Sequence, residues 1–148
     1  MNIAIRKATE SDLHSILNLY AQPEMDNGKV LSIEQAKNLF TKIMFYPDYN
    51  LYVAIDEYNN IVGTYALLIM INLGHLGAPS GIVEDVVVDP NYQGKGIGKK
   101  MMKHAMEICK QKKCYKLVLS SNLKRKNAHQ FYESLGFKQH GISFEINL

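Results

Sequence analysis

Three glycines at alternate positions, Gly94, Gly96 and Gly98, give the clearest chemical signal in this 148-residue sequence. Glycine has no Cβ, so the backbone N–H groups of such a turn can approach an anion closely. A helix predicted to begin at residue 97 adds unpaired N–H donors and the positive end of its dipole. The spacing therefore predicts a phosphate-binding turn. It is not a P-loop, because the GxxxxGK[ST] pattern is absent, and it is a poor match to a dinucleotide fingerprint.

Basic residues are concentrated in the same part of the chain. Residues 93–126 contain eleven Lys or Arg and one acid, Glu107, a net charge of about +10, whereas the whole chain carries +3. The rest of the chain is therefore acidic overall. Such asymmetry favours a polyanionic partner, and a solvated lysine-rich helix face is the alternative.

The composition is that of a globular protein, with 47% hydrophobic and 21% charged residues. It excludes collagen-like, disordered and disulfide-scaffold classes, and the length predicts one domain over residues 1–148. Cys109 and Cys114 form no CxxC motif and have no histidine at ligand spacing, so we expect free thiols and no metal site. The N-terminus lacks a signal-peptide core and the longest apolar run, residues 65–71, is too short for a membrane span. We therefore expect a cytoplasmic protein without a membrane partner.

The elements that must position the glycine turn follow from apolar periodicity and turn residues. Capping signals at Thr9–Asp12 and at Ser32 with Gln35 predict where the first two helices begin. The predicted order is a strand at 3–5, a helix at 13–20, a helix from the second capping signal to 43, strands at 51–55, 61–71 and 82–88, a helix at 97–112, a strand at 115–119, a helix at 127–135 and one or more last strands within 137–148. This order predicts an α+β fold around one mixed sheet.

Three motifs in the C-terminal half together resemble the GNAT superfamily of N-acetyltransferases. Gln93-x-x-Gly96-x-Gly98 is similar to its acetyl-CoA pyrophosphate motif. Residues 82–88 resemble the preceding strand of the family, and residues 127–137 resemble its A-x-x-FYExLGF element. The resemblance implies the GNAT fold, a central mixed and mostly antiparallel sheet flanked by about four helices. It also implies direct transfer of an acetyl group from acetyl-CoA to a primary amine.

The resemblance implies which residues bind acetyl-CoA. The backbone of the 82–88 strand would pair with the pantetheine arm, and the glycine turn would hold the pyrophosphate. The position seven residues before Tyr132 is an asparagine in many relatives and is Arg125 here, with two asparagines nearby. The expected cofactor contacts are Val86, Val87, Val88, Gln93, Gly94, Lys95, Gly96, Ile97, Gly98, Lys99, Asn122, Arg125 and Asn127.

Three residues are implied to act on the reacting atoms. Tyr132 matches the general acid of the family, and a phenol is protonated at neutral pH, so it could protonate a leaving thiolate. Glu84 matches the frequent general base, with a water molecule as the alternative, and the Val86 N–H would stabilise the oxyanion. Strand alternation predicts that Glu84 and Val86 share one face and that Asp85 points to the other, unless a bulge intervenes.

The expected acceptor is a small-molecule amine that carries an anionic group, because residues 120–132 resemble aminoalkylphosphonate N-acetyltransferases and residues 84–88 resemble glucosamine-6-phosphate N-acetyltransferases. A protein N-terminal or lysine acetyltransferase is the first alternative, favoured if acids such as Glu24, Asp26 and Asp48 line the substrate cleft. A non-catalytic module that binds CoA or nucleic acid is the second. We expect no nucleic-acid partner, and a sheet edge near the C-terminus would allow a homodimer.

Overall fold

The computed structural model describes residues 1–148, which form two compact units, Met1–Val118 and Leu119–Leu148. The first unit contains a five-stranded sheet and three helices, and the second contains one helix. That the whole chain acts as a single domain stays a prediction. The sheet and the four helices confirm the α+β architecture.

The sheet has the strand order β1-β2-β3-β4-β5. Strands β1 to β4 are antiparallel to their neighbours, and β5 is parallel to β4, so the sheet is mixed and mostly antiparallel as predicted. The strands are β1 Ala4–Lys7, β2 Tyr49–Ile55, β3 Ile61–Met70, β4 Ser80–Val88 and β5 Lys116–Val118.

Helices cover both faces of the sheet in the first unit. Val53 of β2 belongs to the buried cluster formed with the first two helices. The preceding residue, Tyr52, points to the other face, where it stacks on Tyr65 and lies edge-on to His104 of the third helix. The helices are α1 Leu13–Tyr20, α2 Ile33–Ile43, α3 Ile97–Gln111 and, in the second unit, α4 Lys126–Ser134. None of them is long and apolar enough to cross a bilayer.

Local hydrogen bonds explain where α1 and α2 begin. The Gln35 N–H donates to Ser32 Oγ at 3.2 Å, and the Ser32 N–H donates to Gln35 Oε1 at 3.0 Å, which confirms the predicted capping box. Before α1, the Asp12 carboxylate accepts from the Thr9 N–H at 2.7 Å and from both terminal nitrogens of Arg6 at 2.6 and 2.9 Å. Because Arg6 belongs to β1, this ion pair joins the start of α1 to the sheet.

Helix α3 packs closely on the opposite face of the sheet. Gly81 of β4 lies against Cys109, and any Cβ at residue 81 would collide with the Cys109 sulphur. Tyr65 of β3 is fully buried, and its hydroxyl lies 2.7 Å from His104 Nδ1. Both contacts fix α3 against β3 and β4, and β4 is the strand that leads into the glycine turn.

The prediction of one or more strands within residues 137–148 is wrong. That segment forms no strand, although its large apolar residues fall at alternate positions as in a strand. A strand needs a hydrogen-bonded neighbour, and no strand of the chain pairs with this segment. Four of its side chains are therefore exposed: Ile142, Phe144, Ile146 and Leu148.

Candidate active site

One edge of β4 is open where the sequence predicts pantetheine binding. Strands β4 and β5 pair only over three residues, from the Ser80–Lys116 pair to the Ile82–Val118 pair. Beyond Ile82 the β4 strand runs on to Val88 without a neighbour on that side. An open edge presents unpaired backbone N–H and C=O groups, which another extended chain can use. The predicted cofactor residues Val86, Val87 and Val88 all lie on this edge.

A bulge in β4 changes the directions of its side chains. Thr64 pairs with Val87 and Ala66 pairs with Glu84, so Tyr65 alone lies opposite two residues of β4. Asp85 in this bulge has a left-handed φ of 52°. Residues opposite each other in a sheet share a face, so Glu84 points to the same side as Ala66. Asp85 lines the same cavity as Ala66. The simple alternation of Glu84 and Asp85 therefore does not hold, and the bulge that was the stated exception to it is present.

The glycine turn joins β4 to α3 as predicted. The Asn91 N–H donates to Asp89 Oδ1 at 2.8 Å and starts the turn. Gly94 and Gly96 have left-handed φ values of 75° and 80°, which glycine adopts without a steric penalty. Gly96 is also the N-cap residue of α3, and no side chain caps that helix. The first N–H groups of α3 are thus free to receive an anion.

Side chains around the turn already contact its backbone. The Gln93 amide donates to the carbonyl of Val88 at 3.3 Å, and the Gln22 amide donates to the same carbonyl at 3.3 Å. Lys95 Nζ donates to the Asn91 carbonyl at 2.9 Å and lies over the Tyr92 ring, 4.8 Å from its centroid. The structure therefore brings together the open edge and the turn, two of the three predicted cofactor regions.

Tyr132 lies in the second unit, on α4, as predicted. Its ring contacts Phe131 and Phe137 edge-on, with centroid distances of 5.1 and 5.7 Å. Burial raises the pKa of Tyr132, and the positive charge of Arg125 acts in the opposite direction. The hydroxyl makes no hydrogen bond within the chain, so its proton is not committed to another residue. Tyr132 is thus a protonated phenol at neutral pH.

The three residues of the second unit that are predicted to contact the cofactor lie at or just before the start of α4. Asn122 accepts from the backbone of Lys124 at 2.9 Å through Oδ1, and its carbonyl lies 2.8 Å from His129 Nε2. Arg125 is the N-cap residue of α4, and Asn127 is in the first turn. Glycine follows the helix as predicted, because Gly136 has a left-handed φ of 93°.

A cavity of about 310 Å³ lies between α1, α2 and the sheet, and we call it the α1–α2 cavity. Its walls are mostly apolar, and the acids Asp26 and Asp85 line it. Burial raises the pKa of Asp85, and the charge of Asp26 adds to this effect. The pKa of Glu84 is also raised, first by burial and second by the charge of Asp85. The structure thus places two carboxylates of raised pKa next to each other on β4.

Sequence reasoning missed the direction of the Asp85 side chain and the existence of this cavity. The apolar stripes of α1 and α2 were visible as periodicity, but a stripe that packs fully and one that leaves a cavity look alike in sequence. The bulge that turns Asp85 toward the cavity could not be located from sequence, because aspartate is enriched at positive φ but most aspartates still have a negative φ. The sequence offers Asp26 only as one of several acids for a substrate cleft, together with Glu24 and Asp48.

Comparisons with known proteins agree with the motifs. A family model described as an acetyltransferase (GNAT) domain matches residues 47–139. A glucosamine 6-phosphate N-acetyltransferase from Trypanosoma brucei brucei is 31% identical and aligns with 100% of this chain and 97% of its own length. An aminoalkylphosphonate N-acetyltransferase from Salmonella typhimurium is 27% identical, with 95% of this chain and 88% of its own length covered.

Solved structures show the same architecture. The crystal structure of a glucosamine-6-phosphate N-acetyltransferase from Arabidopsis thaliana matches this chain with a TM-score of 0.86 at 29% identity. The match covers 99% of each chain.

Proposed function

Because this chain belongs to the GNAT family and is an N-acetyltransferase, we propose that it moves the acetyl group of acetyl-CoA directly to the primary amine of a small molecule. The observation that carries the proposal is the open β4 edge leading into the uncapped N-terminus of α3. The edge offers backbone groups to an extended polar arm, and the helix start offers N–H donors to a pyrophosphate. These two features fit the two parts of CoA in the order in which they occur along it.

Chain residues would handle charge and protons as follows. When bound, acetyl-CoA would supply the acetyl thioester. The Val86 N–H would donate to the carbonyl oxygen as negative charge develops on it. Tyr132 would give its proton to the departing thiolate, which suits a phenol whose pKa is raised by burial. No step uses an enzyme nucleophile, so the amine would attack within a ternary complex.

A primary amine is protonated at neutral pH and must lose a proton to a base before it can attack the thioester, and we propose Glu84 as that base. Although Glu84 is an exposed residue, partial desolvation and the charge of Asp85 raise its pKa, which makes it a better proton acceptor than a carboxylate with the usual pKa. Asp85 is its neighbour and has a raised pKa as well, so the two offer a matched comparison. Glu84→Gln should lower kcat by about 100-fold with its acidic limb lost from the pH profile. If kcat at saturating amine falls in Asp85→Asn and not in Glu84→Gln, the role of base belongs to Asp85.

The relatives support a small amine as acceptor, because their names refer to glucosamine 6-phosphate and to aminoalkylphosphonates. Peptide acetylation is the second candidate, favoured by the position of Asp26 in the α1–α2 cavity. An assay of acetyl-CoA consumption over a panel of small amines and peptides separates the two. We expect one free CoA thiol to be released for each small amine acetylated, and mass spectrometry identifies the acetylated product. Acetylation of peptides alone would favour the second candidate, and no turnover despite acetyl-CoA binding would contradict both.

Two further parts of the proposal concern assembly and compartment. A homodimer is supported by the four exposed apolar side chains at alternate positions in residues 142–148, which a second copy would cover. Light scattering should give twice the mass of one chain for the wild type. For Phe144→Lys it should give the mass of a single chain. The free thiols Cys109 and Cys114 support a reducing compartment such as the cytoplasm.

A further inference from the structure

The α1–α2 cavity has a chemical character that the names of the relatives do not suggest. Of its fifteen lining residues, none is Lys, Arg or His, and the ionisable ones are two aspartates and two tyrosines. The other eleven are apolar, and seven of them are leucines or isoleucines, five of which belong to α1 and α2. A phosphate group placed in this cavity would meet carboxylates and hydrocarbon rather than cations.

The two carboxylates of the cavity are available to a ligand. Asp26 and Asp85 are exposed residues, and neither makes a side-chain hydrogen bond or an ion pair within the chain. The pKa of Asp85 is raised first by desolvation and second by repulsion from Asp26. A bound cation would relieve that repulsion, since an opposite charge nearby favours the ionised form of a carboxylate.

The position of the cavity connects it to the proposed chemistry. Asp85 lies in the β4 bulge, directly before Val86, whose N–H is the proposed oxyanion donor. An amine held by Asp85 therefore lies one residue from the place where the thioester carbonyl is expected. Tyr20 and Tyr49 line the same cavity and offer aromatic surface to an apolar body or a cation.

We infer that the α1–α2 cavity binds a primary amine on an apolar carbon skeleton without a phosphate, such as an alkylamine or arylalkylamine. This inference rests on the proposed function, because it names the acceptor class of that reaction. The ammonium group contacts Asp85 and Asp26, and the hydrocarbon part lies against the leucines and isoleucines of α1 and α2. Phosphorylated aminosugars are excluded by the carboxylates and by the apolar walls.

Calorimetric titration tests the inference without depending on turnover. Phenethylammonium and glucosamine 6-phosphate are titrated separately into the full chain saturated with CoA. Phenethylammonium should bind about tenfold more tightly or better, because a phosphate beside two carboxylates is repelled. Tighter binding of glucosamine 6-phosphate, or no binding of phenethylammonium, overturns the inference.

Three variants assign the binding to the cavity. Asp26→Asn should raise the dissociation constant of phenethylammonium by about fivefold, which is the effect of losing one exposed ion pair. Leu39→Arg adds a cation at a cavity residue that is 44% exposed. It should reduce the ratio by which phenethylammonium binds more tightly than glucosamine 6-phosphate. The control Glu34→Gln removes an exposed acid of α2 outside the cavity and should change neither affinity. Equal effects of Asp26→Asn and Glu34→Gln would show a general charge effect and overturn the inference.

Turnover separates failure of the inference from failure of the proposed function. If glucosamine 6-phosphate is acetylated faster than phenethylamine at equal concentration, the chain is an acetyltransferase with a different acceptor, and only the inference fails. If phenethylammonium binds as expected and no amine is acetylated, the proposed function fails and the binding site stands.

Discussion

The two regions that the proposed reaction needs are built in opposite ways. The first, which we call the cofactor side, comprises the open β4 edge at residues 83–88, the turn at 89–96 and the start of α3, and it offers mainly backbone groups. The second is the α1–α2 cavity, lined by apolar side chains and two carboxylates. The cofactor side suits a polar anion, and the cavity suits an apolar cation. Backbone sites come from one continuous segment, whereas cavities come from residues distant in sequence.

Tyr132→Phe gives the largest expected effect and should act on neither region. The substitution removes the proton donor and keeps the ring contacts with Phe131 and Phe137. We expect kcat to fall by about 100-fold, the usual contribution of general acid catalysis. The dissociation constants of acetyl-CoA and of the amine should stay within about twofold.

Stopped-flow and equilibrium titrations check the Tyr132 prediction, with Tyr115→Phe as the matched control. Turnover by Tyr132→Phe at the wild-type rate would remove Tyr132 from the mechanism.

Asp12→Asn should weaken the wall of the cavity without touching the cofactor side. The Asp12 carboxylate joins α1 to β1 through Arg6, and the substitution should lower the free energy of unfolding by about 2 kcal/mol. The hydrogen bonds from Arg6 lower the pKa of Asp12 to about 2, from a reference of 3.8. Its contribution is therefore complete above that reference and is lost as the pH falls toward 2.

Urea unfolding at pH 7 and at pH 3 checks the Asp12 prediction. The difference between wild type and Asp12→Asn should be smaller at pH 3. A difference that grows on acidification would contradict the assigned role of the ion pair.

Gly96→Val should damage the cofactor side alone. At φ 80° a valine is strained, and about 1–2 kcal/mol of strain at the N-cap of α3 displaces the N–H donors. We expect the dissociation constant of CoA to rise by about tenfold and that of the amine to stay unchanged. Gly77→Val is the control, since Gly77 has a φ of 78° in a loop outside both regions. Equal weakening by both variants would mean that instability, not the anion site, explains the loss.

Salt should separate the two regions by the smallest effect. Lysines close to the cofactor side, such as Lys99 and Lys100, are exposed and screened by salt. Raising the ionic strength from about 0.05 to about 0.5 M should raise the KM for acetyl-CoA by about threefold. The KM for an apolar amine should change less, because salt screens the contact of its ammonium group with the aspartates but does not weaken the burial of its hydrocarbon part. The opposite pattern would contradict the assignment of charge to the two regions.

The cofactor side could be predicted from the sequence because its information is local. Gly94, Gly96 and the strand before them lie within a few residues of one another, and the structure has them at the predicted places. The helices and the hairpin followed in the same way from periodicity and caps. The strands expected within 137–148 did not form, because strand formation depends on a partner that the local pattern cannot report.

The α1–α2 cavity could not be predicted from the sequence, since its shape depends on how distant segments pack. Asp26 follows α1 and Asp85 lies on β4, and only the tertiary structure brings both to one cavity. The direction of Asp85 depends on a single extra residue in β4 opposite Tyr65. No feature of the Glu84-Asp85-Val86 sequence requires that residue to be accommodated as a bulge.

Backbone amide chemical-shift mapping by NMR tests the central claim most directly. CoA and phenethylammonium are titrated in turn into the isotope-labelled chain. The account predicts that CoA shifts the amides of residues 86–99, and that phenethylammonium shifts those around Tyr20, Asp26, Ala36 and Asp85. Shifts by the amine within residues 86–99 with none around the cavity would contradict the account.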